Sequence, residues 1–235
     1  MWTVGHSSIG YLLSRPAFGK AELQPRTILV IFFMSSLLDF AHIHEARTLT
    51  HSLLVFVLVT GSAIFILYRL QIIGSSERFP LVIAAGSHII ADILFGSFAP
   101  AIPFSYFEIT IFGWGSYFDY IVEASLFTGM LVSMYLTGDL DRFINKPIIR
   151  SKIRPRELFQ DLFISGLILI IMAQIGAVFY LDFLNGYNFY NEAIYNDGSL
   201  WYISLIFMAV QAVFAYVLFR FVIDRYFKDR SVKPG

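Results

Sequence analysis

The stretch FPLVIAAGSHIIADILFGSF, Phe79–Phe98, decides how the rest of the chain is read. It is apolar over 20 residues apart from one imidazole and one carboxylate. At a rise of about 1.5 Å per residue, that length crosses a bilayer core of about 30 Å. His88 and Asp92 stand four apart, so they leave one face of the helix a turn from each other. Ionisable groups in a spanning helix cost about 2.5–3.5 kcal/mol each on insertion scales, which makes them functional candidates. A neutral imidazole and a carboxylate at this spacing can share a divalent cation, or Asp92 can orient His88 from behind. The plainer alternative is a buried His–Asp hydrogen bond that joins two helices.

The composition agrees with a membrane setting. Of 235 residues, 57% are hydrophobic and 14% charged, with a mean hydropathy of +0.68. Soluble domains carry about 25% charged residues, so the polar surface here is too small to cover a water-facing core. The expected fold is an all-α, polytopic membrane bundle with about six transmembrane helices. The windows are Thr27–His42, His51–Tyr68, Phe79–Phe98, Tyr117–Thr137, Leu158–Leu184 and Leu200–Ile223. The first, with 16 residues, is short for a crossing. A short helix is expected before it, and Met1–Ser14 lacks the basic start and long apolar run of a secretory signal. Ala99–Ser116, interrupted by Pro100, Pro103, Gly113 and Gly115, reads as interfacial or re-entrant. The chain reads as one integral membrane domain over 1–235, with motif-bearing helices in 1–98 and accessory helices in 117–235.

Charge sets the expected orientation, because short basic loops stay cytoplasmic. The loop at 138–157 carries Arg142, Lys146, Arg150, Lys152, Arg154 and Arg156. The tail carries Arg225, Lys228, Arg230 and Lys233, and the first 26 residues carry Arg15, Lys20 and Arg26. Asn185–Ser199 and Ala99–Ser116 have no basic residue. Six crossings with both termini cytoplasmic satisfy this distribution, giving a multi-pass cell-membrane protein. Seventeen basic residues balance seventeen acidic ones, so net charge by itself says nothing about partners. The expected partner is the lipid bilayer, and no nucleic acid is expected. With no cysteine, thiolate metal sites are excluded.

All five histidines, His6, His42, His44, His51 and His88, fall in the first 88 residues. Asp39 ends the first window and His51 opens the second, so a short turn between antiparallel helices brings them to one end of the bundle. Asp92 lies near the matching end of the third helix, with His88 about 6 Å deeper by the helical rise. Asp39, His51, His88 and Asp92 can therefore converge in a pocket sunk from the outer face. His42 reads as an exposed turn residue. His6 reaches that depth if the N-terminal helix is re-entrant, which lifts it by about 13 Å, and an ordinary amphipathic interfacial helix is the alternative. Asp119 and Glu123 form another carboxylate pair at helical spacing, able to close the pocket or simply to meet headgroups and a neighbouring helix.

An N-terminal His before a small helix, Asp39, then Arg47-Thr48-Leu49-Thr50-His51-Ser52 and Ser87-His88-x-x-x-Asp92 resembles the family of membrane-bound metal-dependent hydrolases. These are inner-membrane proteins also described as LexA-binding hydrolases. The resemblance covers roughly residues 6–95. Where the family has Pro-Asp-x-Asp and His-Arg-x-x-Thr-His-Ser, this chain has Ser36 and Leu37 before Asp39, and Ala46 before Arg47. The resemblance implies a divalent metal, zinc by preference, bound by His51, His88 and Asp92, with His44 and His6 as further ligands. Asp39 is expected as ligand or general base. Arg47, four residues before His51, is expected to hold an anionic group such as a phosphate ester.

The expected chemistry is metal-assisted hydrolysis, in which three protein ligands leave a position where the pKa of water falls to about 7. A pocket within the outer leaflet suits a lipid or lipid-like phosphoester. Two other classes fit the same residues. Intramembrane His and Asp also mark ion or proton transport, although the crowding of these residues into the first half argues against a duplicated transporter. A degenerate protein that uses the His–Asp groups or a metal only to lock helices is the third.

Overall fold

The computed structural model describes residues 3–41, 51–102, 104–105, 107–112, 117–145 and 155–184, with positions 209, 212, 213, 215 and 216. His42, His44, Arg47 and all but those last positions of the expected helix Leu200–Ile223 lie outside the described residues. The fold is all-α. Among the described residues there is no strand, and an isolated antiparallel bridge joins Phe98 to Ile109. The helices are α1 (Thr3–Ser14), α2 (Pro25–Ser35), α3 (Leu53–Arg69), α4 (Arg78–Phe95), α5 (Tyr117–Leu136), α6 (Asp139–Asn145) and α7 (Pro155–Leu184).

Helix α2 starts with Pro25 at its first position, where the missing N–H loses no bond. Its residues from Thr27 to Ser35 are all buried, as suits a helix apolar on every side. It does not continue to His42. Regular helix stops at Ser35, and Leu37–Ala41 forms a 3-10 turn. Helix α1 is buried along nearly its whole length and packs on α2, α4 and α5. Two glycines allow the approach: an added Cβ at Gly10 would collide with Ser35, and one at Gly5 with the Glu123 carboxylate. Helix α3 is capped by Ser52, whose hydroxyl accepts from the Val55 N–H at 3.3 Å.

Helix α3 has the reverse pattern of a water-soluble helix. Only Thr60 and Leu67 are buried, while Leu53, Leu54, Val57, Leu58, Phe65 and Ile66 are exposed. The run Ser75–Phe95 is the only one among the described residues long and apolar enough to cross a membrane by length and composition. Pro25–Ser35 and Leu53–Arg69 are apolar but shorter. Six such helices were expected from the sequence. The first falls short because its last turn tightens at Ser35, and the second because Ser52 caps it late.

The stretch 138–157, expected as a loop, holds helix α6 and the start of α7, with 146–154 outside the described residues. Gly138, at φ +70°, takes the left-handed conformation that ends α5. Asp139 and Asp141 then sit in the first turn of α6, where the helix dipole favours carboxylates.

The ends of the helices divide by chemistry. At one end, Asp139 is fully buried and receives Arg15 at 2.7 Å, the Tyr11 hydroxyl at 2.7 Å and Arg142 at 3.0 Å. Burial pushes the Tyr11 phenol up to about 12, so it remains a donor. At the same end, Arg26 binds Asp161 at 2.7 Å, and the Gln160 amide donates to the Leu70 carbonyl at 2.9 Å. The opposite end gathers the imidazoles.

Candidate metal centre

Four segments carry ionisable side chains into one buried cluster. The first turn of α1 brings His6, and the 3-10 turn after α2 brings Asp39. His51 comes from the approach to α3, and His88 and Asp92 from α4. None is more than 3% exposed. Burying two carboxylates is costly unless charge of the opposite sign joins them. A divalent cation supplies it, and these residues could bind one.

The separations fit that role. Asp92 Oδ2 lies 3.0 Å from His88 Nε2 and 3.1 Å from His51 Nε2, and the two Nε2 atoms are 3.4 Å apart. Ligands at zinc distances of about 2.0–2.2 Å in a tetrahedron stand about 3.3–3.5 Å from one another. The three atoms thus converge within 3.4 Å of one another, close enough to share one ion. His51, His88 and Asp92 form the tight triangle, and His6, Asp39 and His88 form a second group of possible ligands.

Asp39 and His6 stand further off. Asp39 Oδ1 is 3.6 Å from His88 Nε2 and 3.9 Å from His51 Nε2. His6 Nε2 is 3.8 Å from Asp39 Oδ2 and 4.0 Å from Asp92 Oδ1, and its ring stacks on His88 at 4.0 Å. His88 can serve one ion only, through Nε2, because Nδ1 is engaged by the Ser35 carbonyl at 2.8 Å. That bond makes Nδ1 the protonated nitrogen and leaves the Nε2 lone pair facing the cluster.

Several residues that position the centre carry no signal in a list of ligand-type side chains. Ser35 acts through its carbonyl, and Gly10 lets α1 reach Ser35 and Ser87. Glu123 is buried and accepts the Gly5 N–H at 3.0 Å, which satisfies a free donor in the first turn of α1 next to His6. Asp119 is buried one turn away. Gly96 follows Asp92 by four residues, and a Cβ there would stand 2.7 Å from Asp92 Oδ1. Gly10, Ser35 and Ser87 are all small, which lets α1, α2 and α4 approach closely. His44 and Arg47, expected in the site, lie outside the described residues.

The fold and the cluster together define an all-helical protein with a buried His/Asp centre able to hold a metal ion. No family model, curated protein or solved structure matches the chain.

Proposed function

We propose that this chain is a multi-pass, membrane-embedded metal-dependent hydrolase acting on a lipid-like phosphoester. The convergence of His51, His88 and Asp92 at ligand separations, with His88 held by the Ser35 carbonyl, is the observation that carries the reading. The outward apolar face of α3 and the gathering of Arg15, Arg26, Arg142 and Arg156 at the end away from the cluster support membrane embedding with that end cytoplasmic. The motif resemblance over residues 6–95 supports membership of the membrane-bound metal-dependent hydrolases.

A divalent cation bound by the triangle supplies Lewis acidity and an activated water. The residues of the chain do the rest. His51 and His88 present Nε2 lone pairs, and Asp92 presents Oδ2. Asp39, further out, is the fourth ligand or the general base, with Oδ2 as the atom that takes the proton. Arg47 is the expected partner of the substrate anion. An apolar groove of about 380 Å³ lies between α2, α3 and α7 and includes Leu37, two residues before Asp39. Its lining of Phe33, Leu58, Ala63, Phe163 and Leu167 suits an acyl chain, which favours a lipid-like substrate.

The test is turnover of a chromogenic phosphodiester and a panel of phospholipids by zinc- or manganese-loaded protein in lipid nanodiscs. Hydrolysis that disappears in His88→Ala and Asp92→Ala, with the fold retained, supports the reading. Equal turnover in both variants, or none in the loaded protein, counts against it. The near-complete burial of the cluster favours a second reading, a structural metal that clasps four segments. In that case metal removal lowers the unfolding temperature and no substrate turns over.

A further inference from the structure

The two carboxylates of the cluster divide their oxygens in the same way. Asp92 turns Oδ2 to His88 and His51, at 3.0 and 3.1 Å, and Oδ1 to His6 Nε2, at 4.0 Å. Asp39 turns Oδ1 to His88 and His51, at 3.6 and 3.9 Å, and Oδ2 to His6 Nε2, at 3.8 Å. The two residues come from different elements, the 3-10 turn after α2 and the body of α4, so the shared pattern does not follow from one helix face. Each carboxylate stands with one oxygen toward the triangle and the other toward His6. A carboxylate that bridges two cations has this arrangement.

The imidazoles divide as well. The rings of His6 and His88 stack with centroids 4.0 Å apart and lie 13° from parallel. A metal ion binds the lone pair of an imidazole nitrogen, and that lone pair lies in the plane of the ring. Stacked planes so nearly parallel do not meet within the cluster, so one ion cannot sit on both lone pairs. One ion on each ring fits the spacing, because paired ions in two-metal centres stand roughly 3.5–4 Å apart. His6 is also held where it is. Glu123 accepts the N–H of the adjacent Gly5 at 3.0 Å, and Gly10, one turn along α1, packs against Ser35. One divalent ion balances the two carboxylates. A second leaves positive charge in the centre, which an anionic group such as a phosphate ester offsets.

We propose that the cluster is a two-ion centre. The second divalent cation binds His6 Nε2, Asp39 Oδ2 and Asp92 Oδ1, and the two carboxylates bridge it to the ion of the triangle. Asp39 is then a ligand and not a base. Among these five residues the second ion has one nitrogen ligand and the first has two, so the second is held more weakly and leaves on dialysis while the first stays. This inference rests on the proposed metal reading of the His51, His88 and Asp92 triangle.

Manganese alone is the probe. The detergent-purified chain is equilibrated against rising concentrations of free Mn²⁺, and bound ions per chain are counted with the free ion still present, for the wild type, His6→Ala and His6→Gln. We expect two ions per chain in the wild type, with the second lost in both variants and the first retained. The electron paramagnetic resonance spectrum of the saturated wild type should be that of an exchange-coupled manganese pair, and each variant should show an isolated ion. Saturation of the wild type at one ion per chain overturns the two-ion centre. So does a second ion that survives in the His6 variants, or a pair whose spectrum is uncoupled. Where the variants fail to fold, the count and the spectrum of the wild type decide. No bound ion at any concentration overturns the metal reading of the triangle itself, an outcome distinct from saturation at one.

Discussion

His88 Nδ1 donates to the backbone carbonyl of Ser35 at 2.8 Å, a bond that takes up the carbonyl of the last residue of α2 and aims the imidazole. In a continuing α-helix the Ser35 carbonyl accepts from the N–H of Asp39. Here the Asp39 N–H goes to the Ser36 carbonyl at 3.1 Å, one residue nearer, and the chain tightens into the 3-10 turn. The turn that brings Asp39 to the cluster and the bond that turns His88 Nε2 inward therefore meet at Ser35.

Gly10→Ala should disturb that bond from a distance. The added methyl collides with Ser35 and presses on Ser87, one residue before His88. We expect a loss of zinc affinity of about 10–100-fold, the range seen when the support of a ligand is removed. Titration against a competing chromophoric chelator measures it, and unchanged affinity in a folded variant removes Ser35 from the site.

The two carboxylates should separate in the same titration. Asp92, at 3.0–3.1 Å from two imidazole nitrogens, belongs to the tight triangle, and Asp39 does not. Asp92→Asn should weaken zinc binding by more than about a hundredfold, beyond the effect of an outer partner. Asp39→Asn should weaken it by about tenfold or less while abolishing any turnover. The reverse order would exchange their roles.

Gly5→Ala tests how α1 is seated. Its methyl meets the Glu123 carboxylate, which accepts the Gly5 N–H. Overpacking of this kind costs about 1–3 kcal/mol, read as a fall in unfolding temperature in detergent. Adding Glu123→Ala removes the clash, so the double variant should lose less than the sum of the two singles. Strict additivity would mean that the two positions do not meet.

At the other end, Arg15→Ala strips a buried carboxylate of its main cation. Asp139 has no exposed surface, and Arg15 donates to it at 2.7 Å. Breaking one side of such a pair costs on the order of 3–5 kcal/mol. Arg15→Ala with Asp139→Asn should recover part of that loss, measured again by thermal unfolding.

The sequence exposes part of this arrangement readily. Helical class follows from the apolar windows, and the spacing of His88 and Asp92 puts both on one face of α4. The connection between Asp39 and His51 puts both at one end of the bundle. The end of α2 was hidden, because the apolar pattern resumes at Leu37 and Leu38 after the polar pair Ser35-Ser36, so the window runs on to His42. The Ser35 hydroxyl bonds the Phe32 carbonyl and the Ser36 N–H bonds the Phe33 carbonyl, while His88, 53 residues away, takes the Ser35 carbonyl. The cap on α6 was hidden for another reason: the basic residues of 138–157 dominate the reading, while Gly138 and Asp139 carry the structural information. Gly5 and Gly10 look like ordinary glycines until Glu123 and Ser35 are seen beside them.

The most direct measurement is the metal content of detergent-purified protein by elemental analysis, after loading with zinc or manganese and exhaustive dialysis, for the wild type, His51→Ala and His88→Ala. We expect close to one ion per chain in the wild type and loss of that ion in both variants, with helical content retained. No bound ion in the wild type, or the same content in all three proteins, would contradict the assignment of His51, His88 and Asp92 as one metal centre.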